Sequence, residues 1–203
     1  VPAGAYYVIS MDTAEGRRRM ARMRRSILAP HITKIDAVHG ARLLPGQHAD
    51  LVTRRWRTDA GEDKPMSPGE VGCCLSHRKA WQALVDSGAE AAMVLEDDAL
   101  HFAPGFLAKV RRIVQHVPDD WGILLLGFWL KNGPNGHRVN AHIHRVRSFC
   151  LMHCYLITRA AARALLRRAP MDAPLDTWVS RQSGDVPIYR HTYQLRKHLD
   201  PVY

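Results

Sequence analysis

Apolar positions along this chain fall into two patterns, short unbroken runs and stripes spaced three or four residues apart, and the two patterns alternate along its length. Tyr6-Tyr7-Val8-Ile9-Ser10 is a β-prone run, after which Met20, Met23 and Ile27 recur at helical spacing among arginines, predicting a strand and then an amphipathic helix. Ile32 to Val38 reads as a second strand that stops at His39-Gly40. From Ala41 to Met66 no period holds. A segment this long and this rich in Gly, Pro and Arg is expected to be a lid, a binding segment or disordered.

Ser67-Pro68-Gly69-Glu70 carries the clearest local signal. Ser67 can accept from the amides of the next turn, Pro68 suits a first helical position and Glu70 can reach back, so a helix is predicted from here to a terminator at Gly88. Val71, Cys74, Leu75, Trp81, Leu84 and Val85 fall largely on one side of it, with His77 at the edge of the stripe. Ala91 to Leu95 predicts a buried strand that delivers Glu96, Asp97 and Asp98 at its C-terminal end. Pro104 and Gly105 open a helix carrying Phe106, Val110, Ile113 and Val114, Trp121 to Phe128 forms another strand, and Lys131 to Gly136 is turn material. Phe149 to Ile157 predicts a strand buried on both faces, and Thr158 caps a helix running to about Arg168. Strands alternating with helices give an α/β class, a mostly parallel central sheet flanked by helices, with ligands expected at the carboxyl ends of the strands.

The 203 residues fit one domain spanning the whole chain, and no apolar run approaches the roughly 20 residues that cross a bilayer. The chain begins at Val1 with no charged segment ahead of an apolar one, so no signal peptide is expected, and a trimmed terminus or an excised partner domain stays open. A net charge of +10 favours polyanionic partners such as anionic lipid, nucleotide diphosphates or nucleic acid. The arginines lie in patches, at Arg17 to Arg25, at Arg54 to Arg57 and at Arg159, Arg163 and Arg167. No aromatic residues interleave the first patch and no nucleic-acid motif appears, which makes nucleic acid an unexpected partner and leaves a solvated basic face as the plain alternative. Cys73, Cys74, Cys150 and Cys154 lack the paired spacing of a structural zinc site and read as small buried thiols rather than as a cluster with His77 and His153. Free thiols point to a reducing compartment, hence a cytoplasmic location.

Three consecutive carboxylates at the end of a buried strand repel one another, and either water or a cation must offset that. Oxygen ligands would suit Mg²⁺ or Mn²⁺, and such an ion could neutralise the charge on a departing nucleotide diphosphate. Side chains alternate along an extended segment, so Glu96 and Asp98 point one way and Asp97 the other. The alternative is a solvated acidic turn.

Ile9-Ser10-Met11-Asp12 with Arg17 and Arg18, Asp36-Ala37-Val38-His39-Gly40, Ser67 through Trp81, Leu95-Glu96-Asp97-Asp98-Ala99, His153-Cys154-Tyr155-Leu156-Ile157-Thr158-Arg159 and Pro174-Leu175-Asp176 together resemble glycosyltransferase family 25 in order and spacing. The family includes the lipooligosaccharide galactosyltransferases of bacteria and is related to the collagen galactosyltransferases. The resemblance runs from about Tyr7 to Val179, its specific parts being Gly69 to Trp81 and Leu95 to Asp98. It implies a GT-A type fold, a UDP-sugar donor, usually UDP-galactose, and an acidic motif that binds Mn²⁺ with the donor diphosphate. Carried over, the metal ligands are Glu96 and Asp98, and the donor-site candidates are Ser10, Asp36, Ser76, His77, Glu96 and Asp97. Inversion at the sugar carbon needs a base, for which Asp176 and His153 are the candidates. A capping role for Asp176 at a helix beginning near Thr177, and hydrogen-bonded core roles for His77 and His153, are the alternatives.

The leading expectation is therefore a metal-dependent inverting glycosyltransferase acting on a glycan, glycolipid or other hydroxyl acceptor, with the 41–66 loop helping to close the site and the arginine patches drawing it to an anionic membrane surface. A metal-dependent phosphoester or diphosphate hydrolase and a non-catalytic polyanion-binding protein are the competing readings.

Overall fold

The computed structural model describes residues 5–25, 32–99, 102, 105–129 and 136–192. Ile27, Pro104 and Lys131 to Asn135, on which sequence expectations fall, lie outside them. The elements run β1 (Ala5–Ser10), α1 (Ala14–Arg24), β2 (Ile32–Asp36), β3 (Arg55–Arg57), β4 (Asp63–Pro65), α2 (Pro68–Ser87), β5 (Ala91–Glu96), α3 (Phe106–Val114), β6 (Ile123–Trp129), β7 (Ile143–Arg145), β8 (Cys150–Thr158), α4 (Arg159–Leu166), α5 (Leu175–Arg181) and β9 (Ile188–His191).

Seven strands form one sheet in the order β2-β1-β5-β8-β6-β9-β7. β1 pairs in parallel with both β2 and β5, and β6 pairs in parallel with β9. β8 runs antiparallel between β5 and β6, and β7 is antiparallel to β9. The five remaining strands thus share one direction, which is the mostly parallel sheet that the alternating pattern predicts.

The period of two along each strand sorts its residues between two cores. Tyr7, Ile9, Val94, Leu125, Tyr155 and Ile157 pack under α2, α4 and α5. Tyr6, Val8, Met93, Leu95, Leu124 and Leu156 pack on the other face with Met20 and Met23 of α1 and Phe106, Val110 and Ile113 of α3. The result is a sheet covered on both faces, and the carboxyl ends of β1, β2 and β5 come to one edge.

α2 forms where the capping signal places it. Ser67 Oγ accepts from Glu70 N–H at 3.2 Å, Glu70 Oε2 accepts from Ser67 N–H at 2.6 Å, and Gly88 at φ 70° ends the helix. His77 departs from its expected place at the edge of the apolar stripe, because it is only 1% exposed. α2 is enclosed by the sheet, α4 and α5 together, so its buried arc is wider than the apolar residues alone indicate.

Two further expectations change. The segment 41–66 is not uniformly irregular: β3 and β4 pair as a small separate sheet, and Val52 is buried. Thr53 N–H donates to Met171 O at 3.0 Å and Arg181 donates to Arg57 O at 2.6 Å, which ties this segment to the region around α5. β8 is not buried along its whole length. Leu151 is 43% exposed with φ 63°, a left-handed conformation that costs a branched side chain energy and so needs an outside tie.

Candidate active site

A cleft of about 340 Å³ opens at the carboxyl ends of β1, β2 and β5, with the N-terminal part of α2, Gly69 to His77, as its facing wall. Two glycines allow that wall to close in. A Cβ on Gly40 would strike the Pro68 carbonyl, and one on Gly72 would strike the Val38 carbonyl, so the loop after β2 and the start of α2 touch backbone to backbone. Ser76 fastens the contact: its Oγ accepts from Val38 N–H at 2.8 Å and donates to Gly72 O at 2.6 Å. Ser10, Ser76, His77, Glu96, Asp97 and Asp98 all line this cleft.

The acidic triplet divides as strand alternation requires. Asp97 turns to the α1 face, where its Oδ2 accepts from Ser10 Oγ at 2.7 Å and its Oδ1 pairs with Arg19 at 3.1 Å. Both oxygens are therefore held by protein groups, and the hydrogen bond from Arg19 raises that guanidinium's own affinity for its proton. Glu96 turns to the α2 face, where His77 Nε2 lies 3.2 Å from its Oε1 and Cys73 Sγ 3.9 Å from the same oxygen. Burial opposes ionisation of Glu96, yet the hydrogen bond with His77 and the electrostatic pull of the neighbouring imidazoles outweigh it and hold the carboxyl below its ordinary range. The same burial, helped by the charge of Glu96, pushes the Cys73 thiol well up. Asp98 is the exposed member. Partial burial in the cleft and then repulsion from Glu96 and Asp97 raise its carboxyl above the usual value.

Carboxylate oxygens on Glu96 and Asp98 with an imidazole nearby are a donor set that hard divalent ions such as Mn²⁺ and Mg²⁺ accept, and a cation there would relieve the repulsion that lifts Asp98. His153 is half-buried on β8, and burial holds its pKa down against the opposing pull of Glu96 and Asp98. Its ring lies where a side chain on Gly127 would be, at the point where the pairing of β6 with β8 shifts register.

His153 is not among the residues that line the cleft, and two further expected residues stand elsewhere. The Asp36 carboxylate is exposed at the edge of the sheet, where it pairs with Lys34 and does not line the cleft, because β2 is an edge strand and alternation turns this side chain to solvent. Asp176 sits in the first turn of α5 with both oxygens engaged, Oδ1 with Thr177 N–H at 2.7 Å and Oδ2 with Leu151 N–H at 3.0 Å. It supplies the tie that the left-handed Leu151 needs, which favours its capping alternative over the role of base. Of the 41–66 segment only Ala41 lines the cleft among the described residues, so the basic hairpin does not close it.

Arg19, Cys73 and Gly127 stand against site residues, although the sequence marks Arg19 only as part of a basic patch and Cys73 only as a small buried thiol. Arg19 had a signal, since it lies three residues after Gly16 and four before Met23, both on the buried side of α1. Cys73 faces Glu96 because α2 turns it there one turn before His77. The place of Gly127 depends on a register shift between strands, which a single strand does not encode.

The family model described as glycosyltransferase family 25 (LPS biosynthesis protein) matches residues 4–179. The chain belongs to glycosyltransferase family 25. Among its family 25 relatives, procollagen galactosyltransferase 1 of Danio rerio is 26% identical over 171 residues, covering 79% of this chain and 26% of that protein. A protein of Rattus norvegicus described as a probable inactive glycosyltransferase 25 family member 3 is 30% identical over 128 residues, 60% of this chain and 22% of that one. This chain thus spans about a quarter of the length of these curated relatives. The crystal structure of UDP-glucose pyrophosphorylase complexed with UDP-glucose gives a TM-score of 0.49 at 8% identity, covering 93% of this chain and 89% of that one. With both procollagen galactosyltransferases and a probable inactive member in family 25, activity has to be argued from the site.

Proposed function

We propose that this domain transfers a hexose, with galactose the expected sugar, from a UDP-sugar to a hydroxyl of a glycan or glycolipid, assisted by Mn²⁺ or Mg²⁺. The observation that carries this reading is the division of the acidic triplet. In a chain of net charge +10, Asp97 is spent on Ser10 and Arg19 while Asp98 and one oxygen of Glu96 remain in the cleft with no protein cation bonded to them among the described residues. A solvated acidic turn would have no reason to bury Asp97 against Ser10 and Arg19 and to line a cleft with Glu96 and Asp98. Bound there, the ion would supply a positive charge to the diphosphate as it leaves.

The protein's own part is to orient the donor and take a proton. The N-terminal end of α2, with Gly69 and Gly72 on the cleft, offers the positive end of a 20-residue helix to a diphosphate. In an inverting step the acceptor oxygen forms its bond to the anomeric carbon as the bond to the phosphate oxygen breaks, the electron pair leaves with UDP, and the hydroxyl proton passes to a base. Of the two candidates, His153 is supported better than Asp176, since burial keeps its imidazole available to accept a proton while both Asp176 oxygens hold backbone amides. The exposed arginines of α1 would favour a peripheral place on an anionic membrane face, on the cytoplasmic side.

The test is calorimetric titration of UDP-galactose, UDP-glucose, UDP-N-acetylglucosamine and GDP-mannose with Mn²⁺ and then with EDTA. One UDP-sugar binding only with metal is the expected result. No binding by any donor under either condition overturns the proposal.

A further inference from the structure

Cys73, His77 and Glu96 bring a sulfur, a ring nitrogen and a carboxylate oxygen within 4.8 Å of one another, an arrangement that could take a soft metal ion as readily as it could hold the carboxylate in place. The hydrogen bonds behind His77 decide between these. Trp81 Nε1–H, which can only donate, donates to Tyr155 Oη at 2.8 Å, and Tyr155 Oη lies 2.8 Å from His77 Nδ1. Trp81 and Tyr155 are both 0% exposed, so bulk solvent does not complete their bonding. Among the described residues the Tyr155 hydroxyl proton has one acceptor, His77 Nδ1. If Nδ1 carried a proton instead, two donors would meet at the Tyr155 oxygen and its own proton would be left buried and unpaired, at a cost comparable to a lost hydrogen bond.

We infer that Trp81 and Tyr155 form a relay that fixes His77 with its proton on Nε2, so that His77 donates to Glu96 Oε1 and is a positioning residue rather than a metal ligand. Nε2 then has no lone pair to offer, and the Cys73–His77–Glu96 trio does not take a soft metal. Both of its donors converge on Oε1, which leaves Oε2 of Glu96, a residue of the cleft lining, without a protein donor among the described residues. The relay therefore sets which oxygen of the carboxylate is presented, from a chain of buried groups that begins at Trp81, one helical turn beyond His77 of the cleft wall. Its consequence for the donor rests on the reading of Glu96 and Asp98 as the metal-diphosphate end of the cleft.

Long-range proton–nitrogen spectra of the ¹⁵N-labelled protein read the protonation of each histidine nitrogen, with His77→Gln identifying the His77 signals. Nε2 protonated and Nδ1 bare, unchanged when Zn²⁺ is added alone, is the expected result. A proton on Nδ1, or loss of the Nε2 proton on adding Zn²⁺, overturns the inference. Tyr155→Phe removes the donor to Nδ1 with little change of volume and is expected to yield a mixture of the two protonation patterns. It should also weaken Mn²⁺-dependent UDP binding by about 5- to 30-fold, the equivalent of one or two lost hydrogen bonds. UDP binding equal to wild type in that variant would remove the positioning role. Should Tyr155→Phe fail to fold, the wild-type spectra with and without Zn²⁺ decide the inference, since Trp81→Phe would leave His77 Nδ1 the one acceptor of the Tyr155 proton among the described residues. If the wild-type protein binds no UDP with Mn²⁺, the transfer reading falls, while the spectra still decide the relay on their own.

Discussion

The same edge of the sheet ends in two different ways. At β1, β2 and β5, neighbouring parallel strands stop together, glycines let α2 close over them, and polar side chains at the strand ends are left facing a cleft. At β6 and β8, the antiparallel pairing shifts register twice, Leu151 is turned into a left-handed conformation, and Asp176 uses both oxygens to hold the backbone there. A carboxylate at the first end is available to a ligand, and a carboxylate at the second end is consumed by the fold. Sequence position gives no hint of that difference, because Asp98 and Asp176 each follow an apolar residue or another acid near the start of a turn or helix.

The largest effect that would break this contrast is on Asp98. Loss of supporting groups around a metal costs about 10- to 100-fold in affinity, so Asp98→Ala, which removes a ligand itself, should lower Mn²⁺-dependent UDP-sugar binding by about 100-fold or more. Calorimetry measures it, and binding unchanged from wild type would place the metal and donor elsewhere. Asp176→Asn is the matching variant at the other end. Removing a general base costs about 10²- to 10⁴-fold in turnover. A clamp instead predicts turnover near that of wild type with stability lower by about 1–3 kcal/mol, read from denaturant unfolding beside single-turnover rates. A collapse of turnover with unchanged stability would restore Asp176 as the base.

How much of each end was legible follows from what kind of signal placed it. The cleft side was readable because local rules govern it: a capping box starts α2, alternation sends Glu96 and Asp97 to opposite faces, and parallel strands end in a common edge. Ser10 was found by the same logic, although its partner Asp97 lies 87 residues away and only the fold joins them. The β6–β8 side was not readable, because a bulge is a relation between two strands and neither sequence alone carries it. His77 falls between these cases. Its neighbours in sequence put it on the margin of a stripe, and only the packing of α2 against three other elements buries it and brings Tyr155 to its ring.

Gly127 sharpens the comparison at its seam. A methyl group added here points into the His153 ring, so Gly127→Ala must either push the ring or move β6 against β8. Overpacking of this kind costs about 1–3 kcal/mol. Thermal unfolding should show that loss with α2 and the cleft still formed, judged by retained Mn²⁺-dependent UDP binding. Loss of UDP binding together with stability would mean that the two ends of the sheet edge are coupled more tightly than their separate hydrogen bonds indicate.

The smallest expected effect is the pH dependence contributed by His153. Burial puts its folded-state pKa below its ordinary value of 6.5, and the attraction of Glu96 and Asp98 only partly restores it. Below pH 6.5 the unfolded chain therefore binds a proton that the folded chain resists, and stability is lost as pH falls through that range. Above it neither state is protonated at this site and the contribution vanishes. His153→Gln should accordingly lose less stability than wild type between about pH 8 and about pH 5, with the two curves parallel at the alkaline end. The opposite sign, a variant more acid-sensitive than wild type, would show that the carboxylates of the cleft outweigh burial and that His153 is held in its charged form against them. That outcome would set His153 among the cations of the cleft and remove it as the proposed base, leaving the seam between the two ends without a group ready to take a proton.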